Sequence, residues 1–204
     1  MKQALKIALK KIVKWLFKLL ALPFLLLMEL STVLRGKDQA FQAMSQWLSL
    51  FPGIFGVYLR AAFYHLACRG TSDQISVGFL SVLSHRDTVI EAGVYIGPQC
   101  NIGKCVIGAD TMLGSGVHVL SGNKQHNFDD VDSPMQQQGG QYLRIRIGKD
   151  CWLGNCAVVM ADIADHSIVA AASVVTKNIN ETHSICAGNP AKVLKSRLSP
   201  EATG

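Results

Sequence analysis

From about residue 75 the chain places an aliphatic side chain at every sixth position. Ile90, Ile96 and Ile102 are six apart, as are Ile107, Leu113 and Val119, then Ile147, Leu153 and Val159, then Ile168 and Val174. A glycine follows at Gly97, Gly103, Gly108, Gly114, Gly148 and Gly154. The residues between are small or polar, and no i, i+3, i+4 stripe is sustained, so helices are excluded here. A period of six is the signature of a parallel β-helix. One aliphatic residue in six points inward, and the small residue beside it lets the chain turn a tight corner. Three hexapeptides close a triangular coil, which buries its inner face only by stacking on neighbours. The register slips between Ile102 and Ile107 and again between Val159 and Ile168. It stops altogether over 121–143, where Asp129, Asp130, Asp132, Pro134, three consecutive glutamines and Gly139-Gly140 rule out a coil. That segment is expected to protrude as a loop, and long loops on rigid scaffolds often carry function.

The region before the repeats has a different character. Residues 1–40 hold eight basic side chains (Lys2, Lys6, Lys10, Lys11, Lys14, Lys18, Arg35, Lys37) against Glu29 and Asp38, which accounts for the whole net charge of +6. The remaining residues are electrically balanced, so no basic face for nucleic acid is implied in the body. On a helix over 2–19, Lys2, Lys6, Lys10, Lys14 and Lys18 fall on one side. Leu5, Ala8, Leu9, Ile12, Trp15, Leu16 and Leu19 fall on the other. Lysines opposite an aliphatic and Trp stripe suit a helix lying in the headgroups of an anionic leaflet, each Lys contributing roughly 1 kcal/mol. A secretory signal is disfavoured, because the basic segment is long and no small-x-small cleavage site precedes Glu29. The apolar run Leu19–Met28 is broken by Pro23 and falls short of the ~20 residues needed to span. A second apolar stretch, Leu48–Cys68, carries Pro52, Gly53, Gly56 and Arg60 and reads either as an interfacial segment or as a core helix. Together they favour in-plane, monotopic attachment over a transmembrane hairpin.

With 49% apolar and 17% charged residues a packed core is expected and disorder excluded. The six cysteines (68, 100, 105, 151, 156, 186) form no CxxC pair, so most read as small buried residues rather than as a zinc ribbon or disulfide frame. The organisation predicted is a helical membrane-associating region over 1–70, a β-helix over 71–180 and a tail over 181–204.

Three segments carry a family resemblance. Ile147-Gly148-Lys149-Asp150-Cys151-Trp152-Leu153-Gly154, Ala172-Ser173-Val174-Val175-Thr176-Lys177 and Gly188-Asn189-Pro190-Ala191-Lys192-Val193 resemble the IGxxxWIG, GSVVTK and GNPAK segments of hexapeptide-repeat O-acetyltransferases. The region around Phe51-Pro52-Gly53 resembles the membrane-proximal extension of those that modify capsular or extracellular polysaccharides. Met160-Ala161 stands where the family usually has Pro-Gly, and Ala171-Ala172 where it has Ala-Gly. The resemblance implies a left-handed β-helix, against the usual crossover hand. It also implies a homotrimer, with acetyl-CoA bound in grooves between neighbouring prisms.

Moving an acetyl group from a thioester to a sugar hydroxyl needs a base for the hydroxyl proton, donors for the oxyanion and an acid for the leaving thiolate. An imidazole can be base and then acid near neutral pH. The family's catalytic histidine occupies a position like that of His126, where the loop leaves the coil. Asp129, Asp130 or Asn127 would orient it, and spacing does not choose among them. His85 and His118 lie in early coils and are candidates for the acceptor groove. Trp152, Gly154, Ala172, Thr176, Lys177, Ala187, Lys192 and Arg197 are the residues the resemblance assigns to acetyl-CoA. His65, His166 and His183 carry no functional signal. The expected acceptor is a surface polysaccharide or its lipid-linked precursor, at the cytoplasmic face of a bacterial inner membrane, with no metal. Two other readings are a γ-carbonic-anhydrase-like metalloenzyme, which needs His85, His118 and His126 to converge on zinc, and a non-catalytic membrane scaffold.

Overall fold

A computed structural model describes residues 2–198; within it the side chains of Lys2, Ala4 and Ile7 are not described. The side chain of Lys2 in the lysine stripe and the last six residues of the 181–204 tail therefore lie outside the described residues.

The repeats build a three-faced parallel prism. The first face stacks Ser76–Val77, Tyr95–Ile96, Met112–Leu113, Trp152–Leu153, Ile168–Val169 and Ser184–Gly188. The second stacks Val82–Leu83, Asn101–Ile102, His118–Val119, Val158–Val159 and Val174–Val175. The third stacks Val89–Ile90, Cys105–Ile107 and Ile145–Ile147, continued by bridges at Ile163 and Ile179. Inside, the second residue of each two-residue strand forms an aliphatic ladder, such as Val77, Ile96, Leu113, Leu153 and Val169, all at 0% exposure. Hydroxyls at the inner corners bond successive coils: Ser81 Oγ donates to Gly97 O at 2.6 Å and Thr111 Oγ1 to Gly148 O at 2.7 Å. These buried polar groups are therefore satisfied.

Two expectations need correction. In the last coil the inward residues are Val169 and Val175, while Ile168 and Val174 point outward and are half-buried. The slip after Val159 places Ile163 inside four residues later, and six more reach Val169. Ile168-Val169 and Val174-Val175 are consecutive β-branched pairs, so their composition does not reveal which member faces in. The repeat glycines also serve a different purpose. The left-handed turns fall at residues such as Gln99, Asp110, Asp150, Cys156, His166 and Ala172. The glycines sit where coils stack: a Cβ on Gly97 would lie 2.8 Å from the Gly114 carbonyl carbon, and one on Gly108 2.6 Å from that of Gly148.

Three helices close one end of the prism: α1 (Lys2–Arg35), α2 (Lys37–Ser49) and α3 (Gly53–Ala67). Phe41, Leu48, Phe63 and Tyr64 are buried there in one core with the first coil. Ser45 Oγ accepts from Leu83 N at 2.8 Å and shares a 2.7 Å hydrogen bond with Tyr64 Oη. Arg60 is fully buried, its guanidinium donating to Val77 O, Leu48 O and Phe51 O at 2.7–3.0 Å. The Leu48–Cys68 stretch is thus the end of α2 plus a helix whose later turns, Leu59–Ala67, pack in the core, while Leu50, Ile54 and Phe55 at its start are exposed.

Helix α1 is continuous through Pro23, and Ala8–Arg35 within it is long and apolar enough to cross a membrane. The ten-residue run read from the sequence understated this, because the helix does not break at the proline. Its inward face is Phe17, Ala21, Phe24 and Met28. Lys14 and Lys18 both pair with Asp73 (3.0 and 2.7 Å), and Glu29 pairs with Arg86. Asp73 and Arg86 flank the first coil, so α1 is pinned across the end of the prism. The opposite arc, from Leu5 through Leu9, Ile12, Leu16, Leu19, Leu26 and Leu30 to Leu34, is exposed along its length.

Candidate active site

The chain leaves the second face after Val119 and returns to the third at Ile145, so the excursion sits at the predicted place. Its two limbs are tied at the root, Leu143 N donating to Ser121 O at 2.9 Å, and again further out. There Gln141 N donates to Lys124 O at 2.7 Å and Asn127 N to Gly139 O at 3.0 Å. Asp87 anchors the root through Lys104 (3.0 Å) and Arg144 (2.8 Å). Partial burial opposes the Asp87 charge, but these two cations outweigh it and hold the carboxyl below its ordinary range. At the outer end Gln138 bonds the backbone of Asp130 and Ser133. The segment is an arm with its own hydrogen-bond structure.

His126 is exposed on this arm, and among the described residues its ring has no hydrogen-bond partner. None of the orienting candidates reaches it within the chain. The Asn127 amide donates to Gln138 O at 3.0 Å, the Asp130 carboxylate accepts from Asp132 N at 3.0 Å, and Asp129 is exposed. The Asn127 and Asp130 side chains are thus engaged along the arm rather than with the imidazole.

At the root of the arm lies a cleft of about 460 Å³, into which His85, His118, Ser84, Asn101, Tyr142 and the Asp38 end of α2 converge. His118 and Asn101 are cross-strand neighbours on the outside of the second face. His85 Nδ1 lies 2.9 Å from Ser84 Oγ, and its ring centroid is 5.2 Å from that of Tyr142. Gln125, next to His126, also lines the cleft. His126 itself does not, so the three histidines do not converge. Among the described residues no group of three or more His, Cys, Asp or Glu is placed to hold a metal.

The residues assigned to the donor fall in separate places. Trp152 is half exposed on the first face, in register between Met112 and Ile168, with Tyr95 beyond Met112. Gly154 is required by coil packing, because a Cβ there would strike the backbone of Ala171. The Ala172 amide donates to Asn155 O at 2.8 Å and is already engaged. Ala187 pairs with Lys192 in the closing antiparallel hairpin, and Gly188 N donates to Ser173 Oγ at 3.1 Å. Ala172, Ala187 and exposed Lys192 thus surround one corner, while Thr176 and exposed Lys177 follow the last strand of the second face. Arg197 does not join the two lysines. The strand Ala191–Ser196 carries it back across the first face, about 20 Å for six residues. There its guanidinium donates to His166 O at 2.7 Å and lies 3.7 Å from Asp150.

Residues 87–121 match the sequence profile described as bacterial transferase hexapeptide (six repeats). Over 151 residues the chain is 31% identical to a chloramphenicol acetyltransferase of Klebsiella aerogenes, spanning 63% of this chain and 70% of that one. This chain belongs to the hexapeptide-repeat acetyltransferase family. The acetyltransferase is also 31% identical over 114 residues to a probable macrolide acetyltransferase of Lysinibacillus sphaericus, 48% of this chain and 63% of that one. Its fold matches the crystal structure of a maltose O-acetyltransferase from Clostridium difficile 630 with a TM-score of 0.65 at 20% identity, covering 78% and 87% of the two chains.

Ser84, Asn101, Tyr142, Asp38, Gln39 and Gln42 of the cleft are not visible as site residues in the acetyltransferase sequence. Only Asn101 had a usable signal, sharing its outward coil position with His118. The α2 residues reach the cleft because that helix folds back over the second face.

Proposed function

We propose that this acetyltransferase moves an acetyl group from acetyl-CoA to a hydroxyl of a saccharide, with His126 as general base. The observation that carries the reading is the cleft of His85, His118, Ser84 and Asn101 at the root of the arm bearing His126. Hydroxyl and amide groups beside one aromatic ring, Tyr142, form the lining a polyhydroxylated ring needs: hydrogen bonds at its edges and an apolar wall for its face. His126 takes the proton of the acceptor hydroxyl as its oxygen attacks the thioester carbonyl, and returns it to the departing thiolate. Trp152 offers an apolar surface to the pantetheine arm, and Lys177 and Lys192 offer charge to the nucleotide phosphates.

The reading includes a homotrimer. Within one chain His126 lacks an orienting group, Phe128, Val131 and Met135 on the arm are exposed, and the Tyr95–Met112–Trp152 ladder is half bare. A neighbouring prism would complete all three. Left-handed coiling belongs to the same reading and rests on family membership. The protein lies at the cytoplasmic face of a bacterial inner membrane, in the plane of the leaflet. The exposed arc of α1 supplies the apolar contact, and the pairing of α1 with Asp73 and Arg86 favours a flat helix over a crossing one.

His126→Ala is expected to lower acetyl transfer by about 100-fold or more, with the melting temperature and acetyl-CoA binding unchanged. A near-normal rate would remove His126 from this role.

A further inference from the structure

The two sides of α2 differ in chemistry. Ala40, Ala43, Met44 and Trp47, spaced i, i+3, i+4 and i+7, line an apolar groove of about 500 Å³ against Leu27 and Leu34 of α1. Asp38, Gln39 and Gln42 of the same helix face the polar cleft of His85 and His118. Between groove and cleft the chain turns at Gly36 (φ 78°), flanked by Arg35 and Lys37. Arg35 also lines the groove. Both cations are exposed, and among the described residues neither has an ion-pair partner. Of the nearby acidic groups, Glu29 is paired with the Arg86 guanidinium, and Asp38, on the cleft side of α2, accepts from Arg86 N through Oδ1 at 3.0 Å. The groove opens on the exposed apolar side of the helical layer, where Leu27 is 58%, Leu34 89% and Trp47 68% exposed.

Round one end of one helix the surface therefore runs from hydrocarbon-compatible to cationic to hydroxyl-binding. We infer that the acceptor is a saccharide joined through phosphate to a long hydrocarbon chain. The chain lies between α1 and α2, the phosphate meets Arg35 and Lys37, and the sugar enters the cleft. A helix is about 10 Å across, so a short phosphate linker suffices to pass its end. Arg35 and Lys37 are then specificity-determining residues, because an unpaired pair of cations beside a lipid groove selects an anionic linker over a neutral one. This rests on the cleft being the acceptor site, as proposed above.

Binding is measured by calorimetry on the full chain in phosphatidylcholine nanodiscs. The probes are a C20 prenyl phosphate, the corresponding prenyl alcohol, inorganic phosphate and phosphatidylglycerol. The phosphate form should bind at least tenfold more tightly than the alcohol. Arg35→Gln with Lys37→Gln should abolish that difference, and Ala43→Phe, which fills the groove, should weaken both lipids, with melting curves confirming the fold. In transfer assays the charge variant should raise KM for a lipid-phosphate-linked sugar and leave KM for the free sugar unchanged. Equal binding of alcohol and phosphate, indifference to the charge variant, or equally tight phosphatidylglycerol binding overturns the inference. A protein that binds the prenyl phosphate selectively yet acetylates no sugar overturns the acceptor reading instead.

Discussion

At Gly154 the residue scale separates packing from ligand binding. Its missing Cβ leaves room for the backbone of Ala171 in the next coil, so the glycine is explained before any cofactor arrives. Gly154→Ala should destabilise the ligand-free protein by about 1–3 kcal/mol, the usual cost of overpacking a tight interior. The urea midpoint measured without acetyl-CoA checks this; an unchanged midpoint would return the glycine to a purely ligand-facing role. Arg60 shows the opposite economy of space. A full-sized cation is tolerated at 0% exposure because three carbonyls, from the end of α2, the turn before α3 and the first strand, accept from its Nε and Nη1, leaving Nη2 without a partner among the described residues. Burial lowers the affinity of its guanidinium for the proton, yet its intrinsic basicity keeps it charged. The cysteines follow the same logic of fit. Cys68, Cys100, Cys105, Cys151 and Cys186 are buried and Cys156 is exposed, and burial pushes the Cys68 thiol up to about 12.

At the scale of elements, the question is what holds α1 on the prism. Burial disfavours the Asp73 charge, but hydrogen bonds from Lys18 and Lys14 outweigh it and hold the carboxyl down at about 2. A depressed carboxyl contributes stability above its unfolded pKa of about 3.9 and loses it as pH falls through the folded value. The two pairs are partly exposed, so their joint contribution is about 1 kcal/mol. The difference in urea midpoint between wild type and Asp73→Asn should therefore be constant from pH 7 to about 5, shrink as pH falls through about 2 and vanish only at about pH 1. A difference independent of pH throughout would show that the ion pairs do not fasten the helix.

The whole molecule is a prism with one end sealed by a helical layer whose far side is apolar. From Leu5 to Leu34 the outward arc of α1 carries leucines with no charge among them, and Trp47, Leu50 and Ile54 extend the surface. An exposed apolar area of this extent marks an interaction surface. Leu19→Glu with Leu26→Glu should release the protein from anionic vesicles in a flotation assay while leaving its melting temperature unchanged, since both side chains already face solvent. Retention on vesicles by that variant would place the membrane contact elsewhere. Deleting the helical layer is a poorer test, because Phe41, Leu48, Phe63 and Tyr64 close the core of the first coil.

The six-residue period determined the prism, the place of the 121–143 excursion and the positions of His85 and His118 in the early coils, because each depends on spacing along the chain; the role given to His126 came from the family resemblance. Amphipathicity likewise specified α1 and its bare leucine face. What spacing does not contain is the relation between separate segments. Only the tertiary structure could decide whether Ile168 or Val169 faces inward, that Arg197 crosses to Asp150, and that Asp38 and Gln42 wall the cleft. Each of these follows from a long-range contact whose energy arises when coils stack or a helix folds back, and no local pattern encodes it.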